Sequence, residues 1–167
     1  MIAGMGISPE GVVAFVDRAV DGLAGIVRDL GDDLANQRPR LPGANSPYAI
    51  LRHCLGVMEF WGGHVVAGRA VTRDRAAEFA ASGPVADLLN AVEQAKRQFK
   101  ADVATADPGA LPRGSRPGMA PDEIELLSQG HALLHVLEEV AQHHGQAELT
   151  RDLLLRESGK GEKGAGG

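Results

Sequence analysis

The sequence is short of cysteine, of aromatic residues and of positive charge, and each shortage narrows the possibilities. A single cysteine, Cys54, among 167 residues leaves no internal disulfide framework and fits a reducing, cytoplasmic setting. The formal charge is −5, with acidic and basic residues interspersed, so nothing electrostatic favours nucleic acid or an anionic membrane as partner. No run of about 18 apolar residues could span a bilayer. Met1 to Gly6 lacks the basic n-region and apolar core of a secretory signal. With one Trp and four Phe, Trp61 and Phe60 read as core or dimer contacts rather than a stacking platform, and a homodimer is a natural expectation.

What the chain does have is helix punctuation. Ser8-Pro9-Glu10, Ser46-Pro47 and Ser82-Gly83-Pro84 each put a cap-type residue before a proline that suits a first helical turn, and Pro121-Asp122-Glu123 adds early acids. Four such starts imply four helices. The first runs from Pro9 to Leu30 or a little beyond, with Val16, Val20, Leu23, Ile26, Val27, Leu30 and Leu34 at helical spacing. The second spans Pro47 to about Gly68 and buries Ile50, Cys54, Val57, Met58, Trp61 and Val65, with Arg52 and Glu59 on the wet side. The third, Pro84 to about Thr105, turns Val85, Leu88, Val92, Ala95, Phe99 and Val103 inward; the fourth covers Pro121 to about Leu155. Residues 1–155 are therefore expected to form one all-α domain, a four-helix bundle, and 156–167 a disordered tail without a large apolar side chain.

The linkers bear on topology. Between the second and third helices, Arg69 to Gly83 is a charged and partly helical connection, long enough at roughly 3.3 Å per extended residue to return the length of a helix. If the second and third helices run parallel and the fourth returns, the second lies antiparallel to the fourth.

Chemistry-bearing residues concentrate in His135-Val-Leu-Glu-Glu-Val-Ala-Gln-His-His-Gly-Gln146. Glu139 and His143 stand four apart and project from one helix face, a spacing that suits a metal ion. Two ligands from one helix need a third from elsewhere, and His53, inside the apolar run of the second helix, is the best placed. His, Glu and His leave room for an exchangeable fourth ligand, the arrangement of catalytic rather than structural zinc. The antiparallel pairing favours Glu139 and His143 over the rival pair His131 and His135. From spacing alone, the alternatives remain a solvated Glu/His pair at the edge of the stripe Leu133, Val136, Val140 and Ala147, and a hydrogen-bonded core histidine at His53. A di-iron bundle is excluded, because it needs Glu-x-x-His pairs on two helices.

With a histidine early in the second helix and this run on the last, the chain resembles the DinB-like (YfiT-like) superfamily, specifically its mycothiol-transferase branch, whose members look like H-x-x-E-E-x-A-x-H-x-G-x-A-x-L in the last helix. The likeness covers Ser8 to Leu155, with its informative motifs in Asn45 to Trp61 and Leu134 to Leu149. It implies a bundle with long crossover connections and a metal triad of His53, Glu139 and His143. It also relates the chain to the N-terminal domain of mycothiol-dependent maleylpyruvate isomerase. Gln146 stands where a histidine often follows the glycine, and the isomerase's C-terminal domain has no counterpart here, which sets that particular reaction apart.

The expected function is a divalent-metal-dependent thiol S-transferase, in which a metal-bound thiolate of mycothiol type attacks a small electrophile. Zinc comes first, with nickel, iron and manganese compatible with the same donors. Gln142, Gln146, His64 and His135 are expected to face the thiol, His64 lying three turns beyond His53. The alternative is a non-enzymatic metal- or ligand-binding bundle, stress-responsive in role.

Overall fold

The computed structural model describes residues 8–114 and 128–159. Its helices are α1 (Pro9–Ala35), α2 (Pro47–Val57) continued by a π-helix (Met58–Val66), α3 (Arg75–Ala80), α4 (Val85–Val103) and α5 (Gln129–Glu157), with no strand among the described residues. The four long helices are those expected, and α3 is the helical part of the charged connection.

Two of the predicted starts are built as the sequence suggests. Ser8 Oγ accepts from the Gly11 amide and Ser46 Oγ from the Ala49 amide, with Pro9 and Pro47 inside the first turn. The third differs. Pro84, not Ser82, occupies the cap position of α4 and offers no acceptor; instead Asp32 Oδ1, from the end of α1, takes the Val85 amide at 2.7 Å. Asn36 completes that junction, donating to the Gly83 carbonyl and accepting from the Gly83 amide, each at 2.9 Å. The predicted start at Pro121 lies outside the described residues, and Ser128 caps α5 at its first described turn. At the far end α5 reaches Glu157, so residues 156 and 157, expected to belong to the tail, are helical; residues 160–167 lie outside the described residues.

Side-chain pairs fix the directions. Asp21 meets Lys96 and Asp32 meets Val85, so α1 and α4 are antiparallel. Tyr48 lies beside Gly83 and Gly62 beneath Phe99, so α2 and α4 run parallel. His53 meets Glu139 while Trp61 meets His135, so α2 and α5 are antiparallel. This is the crossover topology that the linker lengths allow. Between the helices a single core forms from Val16, Val20, Leu23 and Val27 of α1, Ile50, Leu51 and Cys54 of α2, Leu88, Val92 and Phe99 of α4, and Leu133, Val136 and Val140 of α5.

The second helix does not stay α-helical. From Met58 it widens, and the Ala67 amide bonds to the Gly62 carbonyl five residues back at 3.0 Å. Gly62 also lets α4 approach: a Cβ there would sit 2.6 Å from the Phe99 ring. Phe99 is 1% exposed, and its replacement by alanine would open a cavity between α4 and the π-helix. Phe99→Ala is expected to lower unfolding free energy by about 3–5 kcal/mol, measured as a drop in the denaturant midpoint at unchanged m-value.

Candidate metal centre

The antiparallel register of α2 and α5 brings together residues 86 positions apart in sequence. His53 belongs to the buried stripe of α2 and is 1% exposed. Glu139 and His143 lie at the border of α5's apolar stripe, one turn apart. His53 Nε2 is 3.4 Å from Glu139 Oε2, and His143 Nε2 is 3.6 Å from the same oxygen. One ligand-type atom from each residue falls within 4.8 Å of the others. Two donors at zinc bond lengths of about 2.1 Å around a tetrahedral centre stand roughly 3.4 Å apart, so the residues present fit a small dication.

Both imidazoles have their remaining nitrogen engaged. His143 Nδ1 donates to Gln146 Oε1 at 2.7 Å. His53 Nδ1 lies 2.8 Å from Glu78 Oε2, and an ionised carboxylate only accepts, so this nitrogen carries the hydrogen. In each ring Nε2 is thus the nitrogen turned towards Glu139: without an ion it faces the carboxylate as a donor, and with an ion there it would offer its lone pair, as histidine ligands usually do. The His53 ring is further confined by Phe79, stacked at 4.3 Å between centroids, and by His143 edge-on at 4.8 Å.

Electrostatics follow from these contacts. Hydrogen bonds from His143 and His53 hold the Glu139 carboxyl well below the usual carboxylate range, against the opposing effect of partial burial. Burial pushes the His53 imidazole down, but hydrogen bonds to Glu139 and Glu78 outweigh it and raise the net value. Cys54, on the neighbouring position of α2, is driven far up by burial and by the Glu139 and Glu78 charges, so its thiol stays protonated.

The other residues singled out from sequence divide. Gln146 touches the triad directly through His143. Gln142 is exposed and bonds Glu138 at 3.2 Å, one turn from the site on α5's outer face. His135 packs its ring edge-to-face on Trp61 at 4.7 Å, and its Nδ1 is buried without a hydrogen bond. His64 stands on the π-helix, donates to the Arg69 carbonyl at 2.8 Å and stacks on Phe60 at 5.3 Å; neither contact is with the triad. His131 sits at the start of α5, three turns before His143, with its ring against Ser128.

Sequence reasoning missed Arg73, Glu78 and Phe79. Glu78 is 6% exposed, and Arg73 grips both of its oxygens, Nε to Oε1 at 2.9 Å and Nη2 to Oε2 at 3.1 Å. The available signal was charge placement within the connection, an Arg and a Glu five apart beside a phenylalanine. Nothing in helical periodicity points to it.

The family model described as Mycothiol-S-transferase matches residues 11–155. The chain belongs to the mycothiol-S-transferase family. The match takes in all four bundle helices, α3 and the whole triad, and it places the chain among mycothiol-related transferases. No curated relative matches the chain.

A pH dependence follows. Glu139 has a folded pKa below its unfolded value, so its stabilisation is present above the ordinary carboxylate value of about 4.3 and is lost as pH falls through the folded one. His53, raised, contributes stability that is complete below about 6.5 and lost as pH rises through its folded value. Melting temperatures of metal-free protein are expected to fall on acidification below about pH 4, with a shallower fall in Glu139→Gln. An identical slope in the variant would show that the carboxylate is not paired with the two imidazoles.

Proposed function

We propose that the protein is a divalent-metal-dependent thiol S-transferase of mycothiol type, with His53, Glu139 and His143 holding the ion. The observation that carries this reading is the convergence of three neutral-or-anionic donors on a point that stays open on one side. His53 is sealed in the core, whereas the Glu139 and His143 side chains keep 26% and 20% of their surface exposed. A ligand entering past α5 can therefore reach the centre, as an exchangeable position requires.

A divalent ion supplies positive charge that favours the thiolate over the thiol, whose ordinary pKa of about 8.5 leaves it mostly protonated at neutral pH. The protein's own residues do the rest. Glu139, its carboxyl held well below the usual range, contributes the one negative charge of the ligand set. Gln146 holds the His143 ring by its Nδ1 hydrogen and presents its amide nitrogen to incoming polar groups. Gln142, exposed one turn away, offers a second amide for the sugar and amide portions of a thiol of that class. The His135 ring, one turn before Glu139 on α5, packs edge-on against the buried Trp61 and offers a polar edge beside the carboxylate. In the transfer a sulfur–carbon bond forms to the electrophile, the electrophile's leaving group departs with its electron pair, and the thiol proton passes to solvent. Two imidazoles and a carboxylate suit zinc first, with nickel, iron and manganese to be compared.

Full-length protein incubated with each of these ions, mycothiol and an electrophile such as monochlorobimane is expected to yield the S-conjugate faster than protein-free controls. No conjugate with any combination would leave a metal- or ligand-binding bundle without turnover. Elemental analysis gives an independent check. His143→Ala is expected to lose most of the bound metal found in the unaltered protein, and equal metal content in the two would remove Glu139 and His143 from the site.

A further inference from the structure

His53 can serve as a ligand only in one of its two tautomers. With the hydrogen on Nδ1, Nε2 faces Glu139 with a free lone pair; with the hydrogen on Nε2, the ring is turned against a cation. Within the bundle, the Glu139 carboxylate 3.4 Å from Nε2 favours a hydrogen on that nitrogen. The choice is made by α3, the six-residue helix of the long connection, through the only residue that it buries, Glu78.

We propose that Glu78, held in place by Arg73 through both its oxygens, is a positioning residue that fixes the tautomer and direction of His53 and so sets metal affinity; this rests on the metal reading above. Glu78 accepts from His53 Nδ1 at 2.8 Å. Arg73 lies over the Phe60 ring, 5.9 Å from its centroid, and meets the same carboxylate through two nitrogens. Arg73 Nη2 is also 3.4 Å from His53 Nδ1. A donor there would favour the opposite tautomer, but the carboxylate is closer by 0.6 Å (3.4 − 2.8) and carries the complementary charge, so the carboxylate decides. With Arg73 on both of its oxygens, Glu78 faces Nδ1 as an acceptor at 2.8 Å, closer than Glu139 stands to Nε2 at 3.4 Å, so the hydrogen on Nδ1 is the one kept when an ion takes the Nε2 lone pair.

The surroundings hold this contact in place. Asp74 caps α3 by accepting from the Ala77 amide at 2.9 Å, and Arg38 donates to the Phe79 carbonyl at 3.1 Å at the other end. Phe79, next to Glu78, covers the face of the His53 ring. Gly56, one turn beyond His53 on α2, makes the room: a Cβ added there would overlap Glu78 Oε1. The carboxylate reaches the imidazole across a gap that only glycine leaves open.

Gly56 also supplies the sharper test, because Gly56→Ala displaces the Glu78 carboxylate while keeping every ligand and every charge. Zinc affinity would be measured by competition with a chromophoric chelator for unaltered protein, Glu78→Gln and Gly56→Ala, alongside the visible spectrum of each cobalt-loaded form and the melting temperature without metal. The expected result is zinc binding about 10–100-fold weaker in both variants, with altered cobalt bands, from proteins that remain helical. If the unaltered protein binds zinc and both folded variants bind within about threefold of it, well short of the loss expected when such a partner is removed, the positioning role is overturned and the metal site stands. The positioning role is overturned equally if only the metal-free melting temperature moves. If the unaltered protein binds neither zinc nor cobalt, the metal reading and this inference fall together.

Discussion

A buried imidazole has to satisfy two nitrogens at once, and almost everything around His53 follows from that requirement. Burying an unpaired polar nitrogen costs on the order of 1–3 kcal/mol, so a histidine 1% exposed in the α2 stripe needs a partner on each side. One side is closed by Glu78 from the connection. The other opens towards Glu139 and His143, which the antiparallel register of α2 and α5 delivers one turn apart. The parallel arrangement of α2 and α4 in turn requires a long return, and that return is the segment that carries Glu78. Topology and site chemistry thus share a cause.

Much of this is legible in the sequence, for identifiable reasons. Helix positions are readable because Ser8, Ser46 and the prolines after them mark their starts, and because the apolar spacing of Val16, Val20, Leu23 and Val27 is unbroken. His53, Glu139 and His143 can be singled out because an i, i+4 pair on a helix has a fixed geometry and the linker lengths limit which helices can face each other. The family match over residues 11–155 agrees with the likeness carried by the motif of the last helix. What is not legible lies where periodicity says nothing. Glu78 and Arg73 act from in and beside a six-residue helix that is too short for a hydrophobic pattern, and their relation to His53 exists only once the connection folds back. The cap of α4 escapes a local reading for the same reason: Asp32 reaches it from 53 residues away in sequence.

The π-helical turn is equally hidden. A run such as Met58-Glu-Phe-Trp-Gly-Gly-His64 reads as α-helix until the tight contact of Gly62 with Phe99 is known, and Trp61, within the widened turn, packs against His135. π-Helical segments occur often beside functional sites, and here the wider turn holds the buried Trp61 against a ring of α5.

The contribution of α3 separates two properties that bundles usually mix. Because Glu78 is the single residue that α3 buries, the exposed positions of that short helix can be rewritten with little loss of hydrophobic core, whereas changes at Arg73, Glu78 or Phe79 fall on the back of the His53 imidazole. On the proposed reading, the connection would work as an adjusting screw for ion hold, turned independently of the four long helices that keep the molecule folded.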